Sequence, residues 1–383
     1  MTKFLWVSHS SGGNLAPSLG IAKELRNRGE DIALLVKPDR VSRVEEEGLR
    51  AIPLTRAYDD VDRYPDMGPL TRVACSVTSE SVRLEIGEVI AREAPDVLIV
   101  DAMHLSGLKA CKDAGLPTAI ICHTFLWRQL DAWQGIFDKL AGLRQAAGFD
   151  ALPSMLDAWQ SADRIVATSV AALDGAALPG WDHVVHVGPS LRSETHASAI
   201  DLPWDEDGTP LVTVAYTTTE LAAMEKVQSA LDALADLPVR VVATLGGAFD
   251  AANLTVPDNA HVTPYADHDQ LLSKSAIALT HGGHGTMMRS LRHGVPMVMV
   301  PGFPHDQVPK TELMQEWGAA AALPGDAESA VIRAAIETVL SDPSFKAAAV
   351  DLSKMVAPLD GAIGAADALM ALAADTLERP VAV

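Results

Sequence analysis

The stretch LTHGGHGTMMRSLRHGVPMVMVPGFPHDQ, which ends at Gln307, holds the densest set of chemically useful side chains in the sequence. His281 follows an apolar run that reads as a strand. Gly282, Gly283 and Gly285 make a turn, and Thr286 opens a helix whose apolar face includes Met287, Met288 and Leu291. A glycine turn feeding a helix N-terminus offers backbone N–H groups and the positive end of the helix dipole, which suits a diphosphate. His281 and Thr286 add a ring N–H and a hydroxyl to the same place. A second apolar run, VPMVMVPG, leads to Asp306 and Gln307. A carboxylate beside an amide can hold vicinal hydroxyls, as a sugar presents them.

The stretch SHSSGGNLAPSL, residues 8–19, lies between the apolar run KFLWV and a helical pattern, GIAKELRNRG. Gly12 and Gly13 let the backbone turn tightly and approach a ligand. Pro17 falls near the first turn of the following helix, where its missing N–H costs nothing. His9 closes the apolar run, but the rest of the loop offers Asn14 and serines, with no strong acid or base. Asp101 ends the run APDVLIVD and can either take a proton or cap the next helix. Other chemistries fail on spacing. No Gly-Lys pair exists for a P-loop, the dinucleotide fingerprint lacks its third glycine, and no G-x-S-x-G is present. His281 and His284 at a turn lack the i, i+4 face of a zinc helix, so no metal is expected.

These residues must be held by strands and helices, and the chain alternates them. KFLWVS, DIALLV, APDVLIVD, PTAIIC, ADRIVATS and HVVHVG read as buried strands, with amphipathic stretches such as SVRLEIGEVIAREA between them. HTFLWRQLDAWQGIFDKLAGLRQAAG reads as helical throughout. Residues 188–210 are rich in proline, serine and acids and lack periodicity, after which the alternation restarts at LVTVAY. The pattern implies an α/β protein of two parallel-sheet domains. Ligand crevices in such sheets lie at the carboxyl ends of the strands, so the expected site is a cleft between the domains. Length supports two domains, since 383 residues exceed one ordinary core.

With 50 acidic against 30 basic residues, the net charge is −20. That sets the chain against nucleic-acid and anionic membrane partners. Cys75, Cys111 and Cys122 form no C-x-x-C, which suits a reducing compartment. The first apolar run is too short for a signal peptide, and no stretch reads as a membrane span. A cytoplasmic protein is expected. Trp127, Trp133, Trp159, Trp181 and Trp204 either line an apolar pocket or pack the core.

The segment from His281 to Gln307, H-G-G-x-G-T followed by G-V-P and a D-Q pair, resembles the nucleotide-sugar signature of family 1 glycosyltransferases. SHSSGGNLAPSLGIAKELRNRGEDIALLV and DNAHVTPYADHDQLL extend the likeness over nearly the whole chain. The resemblance implies the GT-B fold, two Rossmann-like domains facing a central cleft. Residues 1–195 would bind the acceptor and 211–360 the nucleotide sugar, joined by a linker at 196–210, with a C-terminal helix at 361–383. It implies that His281 contacts the diphosphate, with Gly283, Gly285 and Thr286 donating from the turn and Thr217 or Thr218 from the first loop of the second domain. Asp306 and Gln307 would hold the sugar, Tyr265 would stack on the base, and Gly13 would line the cleft. The activity implied is inverting transfer of a hexose from a UDP- or dTDP-sugar to a hydrophobic polyketide, macrolide or flavonoid. No cofactor or metal is needed beyond that co-substrate, and a homodimer is compatible.

Three positions depart from the family pattern. Asn14 stands where the family's first loop carries its basic histidine, Lys310 replaces a frequent asparagine, and Ala-Asp-His follows Tyr265. An amide cannot take a proton, which leaves Asp101, His9, His104 or His123, or no protein base. Three alternatives to O-transfer also stand: a non-catalytic nucleotide-sugar-binding or auxiliary member of the fold, a C-glycosyltransferase using Asp101, and a sugar-nucleotide epimerase.

Overall fold

Among the described residues, thirteen short strands, most of them largely buried, form the two sheets of the computed structural model. It describes residues 1–10, 12–64, 68–151, 154–192, 202–204, 207–216, 223–246, 250–303 and 305–377. Two units emerge, one comprising residues 1–192 and 360–383, the other residues 193–359. Most of the expected linker, including 196–201, lies outside the described residues.

In the first unit, β1 (Lys3–Val7), β2 (Asp31–Val36), β3 (Arg50–Pro53), β4 (Val97–Asp101), β5 (Thr118–Cys122), β6 (Arg164–Ala167) and β7 (Val184–His186) form one parallel sheet. Their order is β3-β2-β1-β4-β5-β6-β7. All residues of β4 and β5 are buried, as expected of strands covered by helices on both faces. The strand order reverses between β1 and β4. In open sheets this switch point is where the crevice for a ligand forms, and His9 and Asp101 stand at its two sides.

The terminal helix Gly361–Leu377 belongs to this unit rather than standing apart. Its Ala362, Ala365, Ala366, Leu369 and Leu372 are buried in one cluster with Leu19, Ala22 and Leu25 of the helix Leu15–Asn27. Gly361 is required there, because a Cβ on it would lie 2.1 Å from the Gly188 carbonyl oxygen. Arg192 fixes the return of the chain, pairing with Glu24 at 2.6 Å and Asp360 at 3.2 Å.

In the second unit, β8 (Leu211–Ala215), β9 (Arg240–Thr244), β10 (Ala260–Thr263), β11 (Ser275–Thr280), β12 (Met297–Met299) and β13 (Ala320–Ala322) are also all parallel, ordered β10-β9-β8-β11-β12-β13. Here the switch point lies between β8 and β11, so Tyr216 and His281 flank it.

One helical stretch, Pro343–Asp375, passes for a membrane span by length and composition alone, with a mean hydropathy of 1.4 over an 18-residue window. A turn at 357–360 divides it. Its second part is the alanine-rich face just described, which makes it a core element.

Candidate active site

The N-terminal unit gathers four ionisable side chains beyond β1, β4 and β5. Asp101 is 1% exposed and ends β4. Its Oδ1 accepts from Trp6 Nε1 at 2.9 Å and lies 3.3 Å from His123 Nε2, while its Oδ2 accepts from the His9 N–H at 2.6 Å and the Ser8 hydroxyl at 3.3 Å. Burial by itself raises the pKa of this carboxyl, but the bonds from His123, Trp6 and His9 outweigh it and hold the group below the usual carboxylate value. A carboxylate with both oxygens engaged is a weak base. Direct proton uptake by Asp101, as the sequence suggests, would have to compete with these bonds.

The histidines differ in what their rings do. His104 caps the helix Leu105–Ala114, its Nδ1 accepting from the Gly107 N–H at 3.0 Å. Burial pushes its pKa down to about 4. Burial, with the charge of Lys37, pushes His9 to about 3, and its Nδ1 is enclosed without a partner. His123 does not begin a helix as its sequence suggests. It leads a loop after β5, and the helix starts only at Leu130. The cause is Asp174, fully buried, whose carboxylate accepts the N–H groups of Leu126, Trp127 and Arg128. These bonds replace the helical ones.

The first loop enters a 3-10 turn, Gly12–Asn14, before the helix Leu15–Asn27. Asn14 occupies the N-cap position, but its side chain caps nothing. Space is open around Gly13, where an added Cβ would meet no atom within 4 Å.

The C-terminal unit builds its half around His281. Gly282 takes a φ of +87°, open to glycine, and Gly283 is the N-cap of the helix His284–Arg292. That helix starts two residues before Thr286, so Thr286 stands in its first turn rather than opening it, and the N–H groups of Gly285 and Thr286 have no intrahelical acceptor. A Cβ at Gly283 would lie 2.5 Å from His281 Nε2. The missing side chain is what admits the imidazole. Burial, then the charge of Lys310, lowers His281 to about 4, leaving a neutral ring whose Nδ1 is enclosed without a partner. Thr280 Oγ1, Tyr216 OH and Thr311 Oγ1 are likewise buried and unpartnered. Such groups are available to a ligand or to water.

Asp306 pairs with the buried Lys310 at 2.7 Å. Gln307 Oε1 accepts from the N–H groups of Gly302 (2.6 Å) and Phe303 (2.9 Å). The oxygen of the amide thus closes its own turn, which narrows the expected sugar contact to Nε2. Tyr265 is 57% exposed after β10, its ring open to a stacking partner. Among the described residues no group of three or more His, Cys, Asp or Glu could hold a metal ion.

Comparison with known proteins places this arrangement. Residues 228–360 match the family model described as "Erythromycin biosynthesis protein CIII-like, C-terminal domain". The NDP-glycosyltransferase YjiC of Bacillus licheniformis is 24% identical over 94% of this chain and 95% of its own. The calicheamicin glycosyltransferase CalG4 superposes with a TM-score of 0.78 at 22% identity, covering all of both chains. The chain is a glycosyltransferase of GT-B fold. A further relative of this glycosyltransferase is the demethyllactenocin mycarosyltransferase of Streptomyces fradiae, 24% identical over 88% of this chain and 79% of that one. VinC, solved in complex with dTDP, has a TM-score of 0.72 at 20% identity, covering 97% of this chain and 100% of that one.

In this glycosyltransferase the C-terminal unit brings together His281, Gly283, Gly285 and Thr286 on one turn, and Asp306 and Gln307 at the next strand end. Thr217 and Thr218 lie outside the described residues. Trp133, Trp159 and Trp181 are buried in the core, the first two edge to face with ring centroids 5.3 Å apart, and so do not line a pocket. Sequence reasoning missed Ser18, Asp174, Tyr216 and Lys226. Lys226 lies near His281, and burial lowers its pKa. Ser18 lies in the first-loop stretch and Tyr216 just after β8, while Asp174 and Lys226 sit on helices where no motif marks them.

Proposed function

We propose that the glycosyltransferase moves a hexose from a UDP- or dTDP-sugar to a hydrophobic small molecule of polyketide, macrolide or flavonoid type, with inversion at the anomeric carbon. The observation that carries this reading is His281, a neutral, half-buried imidazole whose Nδ1 is enclosed and unpartnered, beside the N-terminus of a helix. Donors of this kind stabilise the charge that develops on a leaving diphosphate. Tyr265 gives the base a face to stack on, and Gln307 Nε2 and the Lys310-paired Asp306 stand where the sugar would lie. The acidic surface disfavours polyanionic acceptors. The names of the relatives point the same way, toward mycarose transfer in one case and calicheamicin in another. No metal is required, since the helix terminus and the basic side chains carry the diphosphate charge.

A thermal-shift screen with UDP, dTDP, GDP, ADP and NAD, run on wild type and His281→Ala, tests the donor site. At 100 times its dissociation constant, UDP or dTDP should add about 2.7 kcal/mol to wild type and nothing to the variant. Silence toward every diphosphate, or a response to NAD alone, would sink the proposal.

A further inference from the structure

Acceptor activation needs a side chain with a basic lone pair, and the Asn14 amide has none. Two of the four ionisable groups around β1, β4 and β5 are already spoken for: both oxygens of Asp101 take hydrogen bonds, and the Nδ1 lone pair of His104 is spent on the Gly107 N–H. His9 also keeps an unpartnered Nδ1, but burial and the charge of Lys37 lower it to about 3, which makes it a poor base.

His123 remains, and its bonding fixes its tautomer. Nε2 lies 3.3 Å from Asp101 Oδ1 and 3.0 Å from Ser18 Oγ. The single proton of the Ser18 hydroxyl goes to the Asn14 carbonyl oxygen at 2.9 Å, so toward His123 the serine oxygen can only accept. Both neighbours of Nε2 are acceptors, and the proton of the neutral ring therefore sits on Nε2. The lone pair is left on Nδ1, which is enclosed and has no partner. The ring stands parallel to the Trp6 indole, centroids 6.4 Å apart, and Trp6 itself bonds Asp101. Carboxylate, ring and indole thus hold one another in place.

We infer that His123 is the base that deprotonates the acceptor, and that Asp101 is its positioning residue. The inference rests on the transfer reading above. The acceptor O–H proton passes to Nδ1 as the oxygen bonds the anomeric carbon. The bond from that carbon to the diphosphate oxygen breaks with its electron pair, and the nucleoside diphosphate leaves. Asp101 stabilises the imidazolium, which then returns its proton to solvent. A lone pair on the third strand-end loop takes over the task of the side chain missing at position 14, using the same carboxylate as its anchor.

The test compares two acceptors, an aliphatic alcohol and a nitrophenol already ionised at the assay pH. Wild-type transfer to the nitrophenol examines the transfer reading alone, because that acceptor needs no base. His123→Gln should lose 10²–10⁴-fold in kcat with the alcohol, the usual worth of general-base catalysis. It should stay within a few-fold of wild type with the nitrophenol, with its UDP or dTDP thermal shift intact. Asp101→Asn should show the same split, since an amide donating to Nε2 moves the ring proton onto Nδ1. Equal losses on both acceptors, or full alcohol transfer by His123→Gln, would overturn the assignment. Should His123→Gln fail to fold, Asp101→Asn decides by the same ratio.

Discussion

Gly283 sets the position of His281 by what it lacks. Its φ of −64° suits any residue, so Gly283→Ala strains no backbone, yet the new methyl would sit 2.5 Å from His281 Nε2. The ring must move, at a cost of about 1–3 kcal/mol. The expected result is a donor dissociation constant raised about 5- to 150-fold, the whole of that cost falling on binding. Titration with UDP or dTDP measures it, and unchanged affinity would mean that the imidazole does not meet the nucleotide. At this scale the donor half was legible from the sequence, because glycine and histidine at a strand end have few other reasons to occur together. The acceptor half was not. His123 lies 105 residues from Ser18 and 22 from Asp101 along the chain, and no local pattern records a bond made across a sheet.

The loop after β5 is an element held by one side chain. Besides three backbone N–H groups, Asp174 accepts from Ser169 Oγ at 3.0 Å and pairs with His186 Nε2 at 2.7 Å. Removing it with Asp174→Ala leaves buried donors unpaired, which costs about 3–5 kcal/mol. A lowered urea midpoint and weaker transfer are both expected, since His123 heads the same loop. A midpoint unchanged by the substitution would refute the anchoring role. The same carboxylate explains a misreading. Residues 123–148 carry a helical pattern, and only tertiary bonds to a residue some fifty positions on stop the helix forming at once. Two strands escaped notice for a related reason. Arg50–Pro53 is a half-exposed edge strand ending in proline, and Ala320–Ala322 is made of a strong helix former. Pairing with β2 and β12 decides both against local preference. The long buried strands were plain because both of their faces are apolar.

For the molecule as a whole, buried neutral histidines set a limit on acid tolerance. His9 is lowered to about 3, and His104, His268 and His281 to about 4, in each case first by burial. Above the ordinary value of 6.5, neither the folded nor the unfolded chain protonates them. As pH falls from there toward 4, only the unfolded chain takes up protons, so stability is lost. Between about pH 7.5 and 5.5 each histidine should cost roughly 1 kcal/mol. Urea titrations at the two pH values should show the midpoint falling at the lower one, and a flat response would disprove the neutral burial of these rings. The restart of the strand pattern made two parallel-sheet units legible at this scale, but the home of the last helix was not, because an alanine-rich face fits many surfaces. That helix has a consequence for biosynthesis. One face of the N-terminal sheet, covered early by the helix Leu15–Asn27, lacks the rest of its cover until residues near 373 have been translated, after every residue of the C-terminal unit. The half of the protein that leaves the ribosome first is thus the half that finishes folding last.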